Sequence, residues 1–223
     1  MSGAVRARNF DQVVSRGFML YYSQDESWRK VGSASTLAEA VSEKDRLDIT
    51  ASLDGDGEAY RQLVQRYQGQ VAAQMWRFTR DPVVLEELVE DVFVEAYFSL
   101  KGFRGRAPFL HWLRRIATRV GYHYWKSKAR RREREEPLTE TILELTVAPD
   151  NRTSSEAAEA VFELFARLPA SDRLVLTLYY LEECDTEEIG SRTGWNRTLV
   201  KVRLHRARKK LKGILNDSSA GGW

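Results

Sequence analysis

Cysteine is nearly absent: Cys184 stands alone among 223 residues. A single cysteine cannot close an intrachain disulfide or supply a cysteine-rich zinc site, and its isolation suits a reducing compartment. Histidine is scarce too. His111, His123 and His205 lie far apart, each in a basic stretch and without metal-ligand spacing. No apolar run reaches the roughly 20 residues that cross a bilayer, and the start lacks the long apolar core of a signal peptide. We therefore expect a cytoplasmic chain with no membrane insertion. Phosphate loops and dinucleotide fingerprints are missing as well. The carboxylates sit on amphipathic helices, so no catalytic constellation forms, and neither an enzyme activity, a cofactor nor a metal is expected.

What the chain has is charge in blocks. The net charge is only +3, but Glu86, Glu87, Glu90, Asp91 and Glu95 make residues 82–100 wholly acidic. Residues 104–132 are wholly basic, with Arg104, Arg106, Arg114, Arg115, Arg119, Lys126, Lys128 and Arg130 to Arg132. The stretch 133–163 turns acidic, and 197–212 is basic again without one carboxylate. Two basic blocks around an acidic connector suggest two contacts with one polyanion.

Periodicity points to an all-α fold of two small helical domains on a flexible linker. Residues 1–48, with the local apolar cluster Phe18 to Tyr22 and a helical turn at Leu37 to Val41, read as a flexible extension or a partner-binding arm. A first domain, 49–132, opens at the Asp54–Gly57 turn, whose aspartates are N-cap candidates. Its first helix runs from Tyr60 past Met75 toward the Asp81–Pro82 break. The next carries an apolar stripe through Val84, Leu85, Leu88, Val89, Val92, Phe93, Ala96, Tyr97 and Leu100. Its acidic opposite face is either solvated or binds protein. Gly102 and Gly105 break that helix, and Pro108 restarts one with Phe109, Trp112, Leu113, Ile116 and Val120 inward.

An acidic linker, 133–156, leads to a second domain, 157–215, and a disordered tail, 216–223. Asp172 is a candidate cap for a helix through Leu181; Asp185 with Glu188 is a capping pair for the next. Thr193–Gly194 supplies a tight turn, and Asn196 caps a last helix with Leu199, Val200, Leu204, Ala207, Leu211 and Leu215 inward. Short helix, glycine turn and basic helix make the helix-turn-helix pattern. The last helix offers Arg197, Lys201, Arg203, Arg206, Arg208, Lys209, Lys210 and Lys212 to a major groove, unless it is a solvated basic tail. In the first basic block, Tyr122, Tyr124 and Trp125 cannot all face one core. They read as stacking platforms for unpaired bases or as a packed aromatic cluster.

These residues resemble the extracytoplasmic-function group of bacterial sigma factors from about Asp56 to Leu215. Residues 85–117, LEELVEDVFVEAYFSLKGFRGRAPFLHWLRRIA, are similar to the group's region 2. Residues 168–211, LPASDRLVLTLYYLEECDTEEIGSRTGWNRTLVKVRLHRARKKL, are similar to its region 4. The resemblance implies an alternative sigma factor that binds core RNA polymerase through the largest-subunit clamp helices and the flap region. It also implies promoter DNA as a partner and an anti-sigma factor as a regulator. It places polymerase contacts at Glu87, Glu90, Asp91 and Glu95. Contacts with the −10 element fall at Phe103, Arg104, Arg106, Arg115, Arg119, Tyr122, His123 and Lys126, the 103–109 loop taking a flipped base. Contacts with the −35 element fall at Arg197, Thr198, Lys201, Val202, His205 and Arg206. Members often carry Asn and Asp where Arg119 and His123 stand, and a small polar residue where Val202 stands, so promoter sequence does not transfer. The rival reading is a stand-alone helix-turn-helix regulator, which leaves the acidic helix unexplained.

Overall fold

The computed structural model describes residues 34–134 and 154–220. The Phe18–Tyr22 cluster, most of the acidic linker and the last three residues lie outside them. Eight α-helices are described: α1 (Ala34–Leu53), α2 (Gly57–Met75), α3 (Pro82–Ser99), α4 (Phe109–Arg134), α5 (Ser154–Ala166), α6 (Ala170–Leu176), α7 (Thr186–Thr193) and α8 (Arg197–Ala220). No strand occurs among the described residues.

Capping chemistry sets four of the eight described starts. Asp56 accepts from the Glu58 and Ala59 amides ahead of α2, and Asp81 does the same for Val83 and Val84, with Pro82 opening α3. These side chains occupy donors that a helix N-terminus leaves without partners. Asp185 caps α7 through the Glu187 and Glu188 amides. Glu188 does not close the expected capping box; it turns to Arg192 at 2.5 Å. Asp172 caps nothing. Helix α6 already begins after Pro169, and Asp172 is buried in its first turn, accepting from Lys210 Nζ at 2.5 Å.

The described residues form two compact units that divide inside α4, between Val120 and Gly121. In the first, Leu63, Val71, Met75, Leu85, Val92, Leu100 and Leu113 are fully buried. Helix α1 belongs to this packing, and it starts well upstream of residue 49. Asp45 and Ile49 are buried; the Arg66 guanidinium of α2 pairs with both Asp45 and Asp48, and the Tyr67 hydroxyl donates to Asp45 at 2.5 Å. Burying these carboxylates is tolerable only because a cation and a hydroxyl meet them. Burial and the Asp45 charge both push the Tyr67 phenol upward, keeping it a neutral donor.

In the second unit Leu174, Val175, Leu176, Leu178, Ile189 and Val200 form the centre. Residues Thr177–Leu181 wind as a π-helical turn between α6 and α7. Cys184 is buried here, and burial pushes its thiol up to about 12, which leaves it an inert apolar filler. Helix α8 runs on to Ala220, past the expected tail boundary at 216; Leu215, placed inward by spacing, is exposed.

The turn between α7 and α8 is tight. Gly194 takes φ 76°, a left-handed C-cap, and Asn196 Oδ1 accepts from the Leu199 amide at 2.8 Å. A Cβ on Gly190 would stand 2.8 Å from the Trp195 carbonyl oxygen, a backbone atom that cannot swing aside. Glycine to alanine inside a helix is ordinarily worth up to about 1 kcal/mol of stability, whereas overpacking costs roughly 1–3 kcal/mol. We expect Gly190→Ala to lower the Tm of the full chain, followed by circular dichroism. A higher Tm would show that the turn relaxes freely.

Candidate polymerase and nucleic-acid interfaces

On α3 the side chains of Glu86, Glu87, Glu90 and Asp91 are exposed, over a buried set of Leu85, Leu88, Val89, Val92, Phe93 and Ala96. Glu95 differs from the other acidic positions: it is half-buried and ion-paired with Arg119 of α4. A residue expected to contact polymerase and one expected to contact the −10 element therefore neutralise each other across two helices. Tyr97 was placed inward by periodicity but is 47% exposed, its ring edge on Tyr60 at 4.9 Å. Spacing also missed Val94 (54% exposed) and Phe98 (79%). Their signal was present, since Glu87, Asp91, Val94 and Phe98 recur at helical intervals on one face. The outer face of α3 is thus acidic at its centre and apolar toward its end.

Between α3 and α4, the Phe103 amide closes a short 3₁₀ turn on the Leu100 carbonyl at 3.0 Å. Its ring packs at 5.4 Å against Phe109 and at 5.4 Å against Trp112. Phe109 is core, as expected; Phe103 and Trp112 are half-buried. Arg104 and Arg106 are exposed on either side of Gly105, whose φ of 64° suits glycine. Phe103 thus serves as the packed base of the loop, while the two arginines project from it.

Farther along α4, Arg115 and His123 are exposed and Tyr122 and Lys126 half-buried. Trp125 is not an exposed platform: it is 4% exposed, with the Arg173 guanidinium 4.0 Å over its ring. Arg173 also lies 4.6 Å from the Phe162 ring. These cation–π contacts hold Trp125 and Phe162 about one guanidinium. Tyr122 meets the edge of Trp195 at 6.1 Å and carries Lys126 Nζ over its face at 5.7 Å. Tyr124 is half-buried beside Lys128.

Helix α8 carries an outward sector and a set of cations engaged within the unit. Arg197, Thr198, Lys201, Val202, His205 and Arg206 are all exposed, with Val200, Leu204 and Ala207 buried behind them. Arg203 stacks on Trp195 at 4.4 Å, and Arg208 lies 4.9 Å over Tyr179 while its Nε donates to the Tyr180 hydroxyl at 3.0 Å. Lys210 holds buried Asp172. Counting charges along α8 could not make this division, because the partners Asp172, Tyr179, Tyr180 and Trp195 all lie before the helix. Among the described residues no group of His, Cys, Asp or Glu could hold a metal ion, and no helix is long and apolar enough to cross a membrane.

Residues 63–131 match the family model of Sigma-70 region 2, and 158–211 match that of Sigma-70 region 4. The ECF RNA polymerase sigma-E factor of Haemophilus influenzae is 32% identical over 168 residues, covering 71% of this chain and 88% of the relative. The chain belongs to the ECF sigma factors. Two solved structures share the fold. CnrH, in complex with the cytosolic domain of CnrY, has a TM-score of 0.51 and 24% identity over 78% of this chain and 98% of its own. The sigma factor RpoE of Bartonella quintana, in complex with the anti-sigma factor NepR, has 0.50 and 18% over 70% and 96%. As an ECF sigma factor the protein binds core RNA polymerase and promoter DNA and directs promoter-specific transcription initiation. The region 2 match gives the acidic helix a place that a stand-alone regulator would leave empty.

Proposed function

We propose a division of labour among the named residues. The outer face of α3, with Glu87, Glu90 and Asp91 at its centre and Val94 and Phe98 at its end, docks on core polymerase. Arg104, Arg106 and Arg115, with Tyr122, His123 and Lys126, meet the −10 element; Arg119, tied to Glu95, contributes less. The exposed sector Arg197, Thr198, Lys201, Val202, His205 and Arg206 enters the major groove at −35. The work is done by binding alone in the cytoplasm, with no covalent step on this chain. The observation that carries the reading is the separation of charge: one helix face without a free cation, and one exposed helix sector without a carboxylate. Two modest DNA contacts reinforce each other because polymerase fixes their spacing, an effective-concentration effect. The complex of a structural relative with an anti-sigma factor supports an anti-sigma partner for this chain.

Run-off transcription with core polymerase over a promoter library tests the reading. Transcripts should require both elements, and tight duplex binding without polymerase would overturn it. Within the −35 sector, Arg206→Ala should lower transcription about tenfold and flatten preference at one base pair, as loss of a base contact does. Lys209→Ala, at an exposed position, should cause a smaller, salt-dependent loss that ignores sequence. Lys210→Ala should instead lower Tm, because it leaves Asp172 buried without its cation. Identical sequence profiles for Arg206→Ala and Lys209→Ala would mean the helix enters the groove in another orientation.

A further inference from the structure

Val202 is a large apolar side chain, 39% exposed, on a helix sector otherwise polar or cationic. Its place on the helix matters more than its exposure, since isolated apolar residues are common on surfaces. At 3.6 residues per turn, two positions past Val200 is about 200° around the axis. Val202 therefore points almost directly away from the stripe of Val200, Leu204 and Ala207, which is buried. Thr198 stands one turn before it on the same line, and both are exposed. Lys201 and Arg206 flank that line, and both are exposed as well. The early outward centre of α8 is thus two methyl-bearing side chains rimmed by cations. Cations suit phosphates and the acceptor edge of guanine. A branched apolar side chain offers them nothing. In the major groove the one apolar group on a base edge is the thymine 5-methyl.

We propose that Val202 reads the 5-methyl group of a thymine in the −35 element, with Thr198 lining the same contact. The proposal rests on α8 being the −35 helix. It predicts an A·T pair at the base step facing the centre of α8. The flanking cations then select that step's neighbours and the backbone. A small polar residue in place of Val202 would remove this preference, so Val202 is a determinant of promoter choice.

The test uses full-length chain with core polymerase on promoters selected from the library. Each −35 thymine, on either strand, is replaced singly by deoxyuridine, which deletes only the methyl group. Holoenzyme affinity is measured by competition for the wild type and for Val202→Ala; a scrambled −35 element serves as control. Alanine is the better helix former at an exposed site, so circular dichroism should show an intact fold. For the wild type, one thymine should show a loss of about fourfold, the effect of one buried methyl. Val202→Ala should lose a similar factor on the natural promoter and show no further loss with deoxyuridine. If scrambling −35 is harmful but no deoxyuridine matters, or the deoxyuridine effect persists in Val202→Ala, the methyl contact is wrong and the α8 assignment stands. An optimal element with no A·T pair under α8 also overturns the contact. If scrambling −35 has no effect, the α8 assignment fails and takes the contact with it.

Discussion

Core RNA polymerase should bind the Glu87→Arg, Asp91→Arg double variant roughly a hundredfold more weakly than the wild type, with the fold unchanged. Both carboxylates are exposed on the outer face of α3, so reversing them disturbs no packing. Exposed side chains contribute little to stability when altered, but a desolvated interface turns each reversal into a repulsion. Two such repulsions add up to the expected loss. Glu95→Gln is the contrasting substitution. Glu95 is ion-paired with Arg119, and both are substantially exposed, so the pair adds little to stability; polymerase affinity should change by no more than about threefold. Phe98→Ala should weaken binding alone, since a ring 79% exposed gives the free protein little packing to lose. Fluorescence titration against core enzyme, with circular dichroism as the folding control, measures all three. Unchanged affinity in the double variant would remove α3 from the interface.

Arg104→Ala with Arg106→Ala should slow open-complex formation on duplex promoters by on the order of tenfold to a hundredfold while leaving closed binding nearly intact. A base leaving the duplex forfeits a few kcal/mol of stacking and pairing, so the protein must hold the extruded nucleotide and its backbone. The 103–109 loop presents two exposed cations. Phe103 is anchored by ring contacts to Phe109 and Trp112, Gly105 supplies the left-handed bend, and both arginines project outward. A promoter carrying a pre-melted −10 bubble should rescue most of the defect, because the cost of extrusion has already been met. Permanganate footprinting on duplex and bubble templates reads both quantities. Equal defects on the two templates would assign these arginines to general phosphate contact, with no part in melting.

Read from sequence alone, the elements were clearest where one local rule governed them. Asp56, Asp185 and Asn196 announce helix starts because a short polar side chain meets amides two or three residues on. The stripe on α3 and the helix-turn-helix punctuation at Gly194 are local in the same sense, as are the acidic and basic blocks that pointed to a polyanion. The chain's own residues thus determined an all-α architecture, the order of its helices and the signs of its interaction faces.

Partners distant in sequence decided the rest. Whether a cation is free for DNA depends on what folding brings beside it, and no periodicity encodes that. Arg119 meets Glu95 from another helix, and Lys210 meets Asp172 across 38 positions. Arg208 is stacked on tyrosines of the π-helical turn, and Trp125 is covered by Arg173. The same holds for α1, which spacing assigned to an extension, yet Asp45 and Asp48 tie it to Arg66. Charge and hydropathy name what each side chain is able to contact; only the tertiary arrangement decides which contact it makes, because burial and pairing depend on distances between segments that the linear order leaves open.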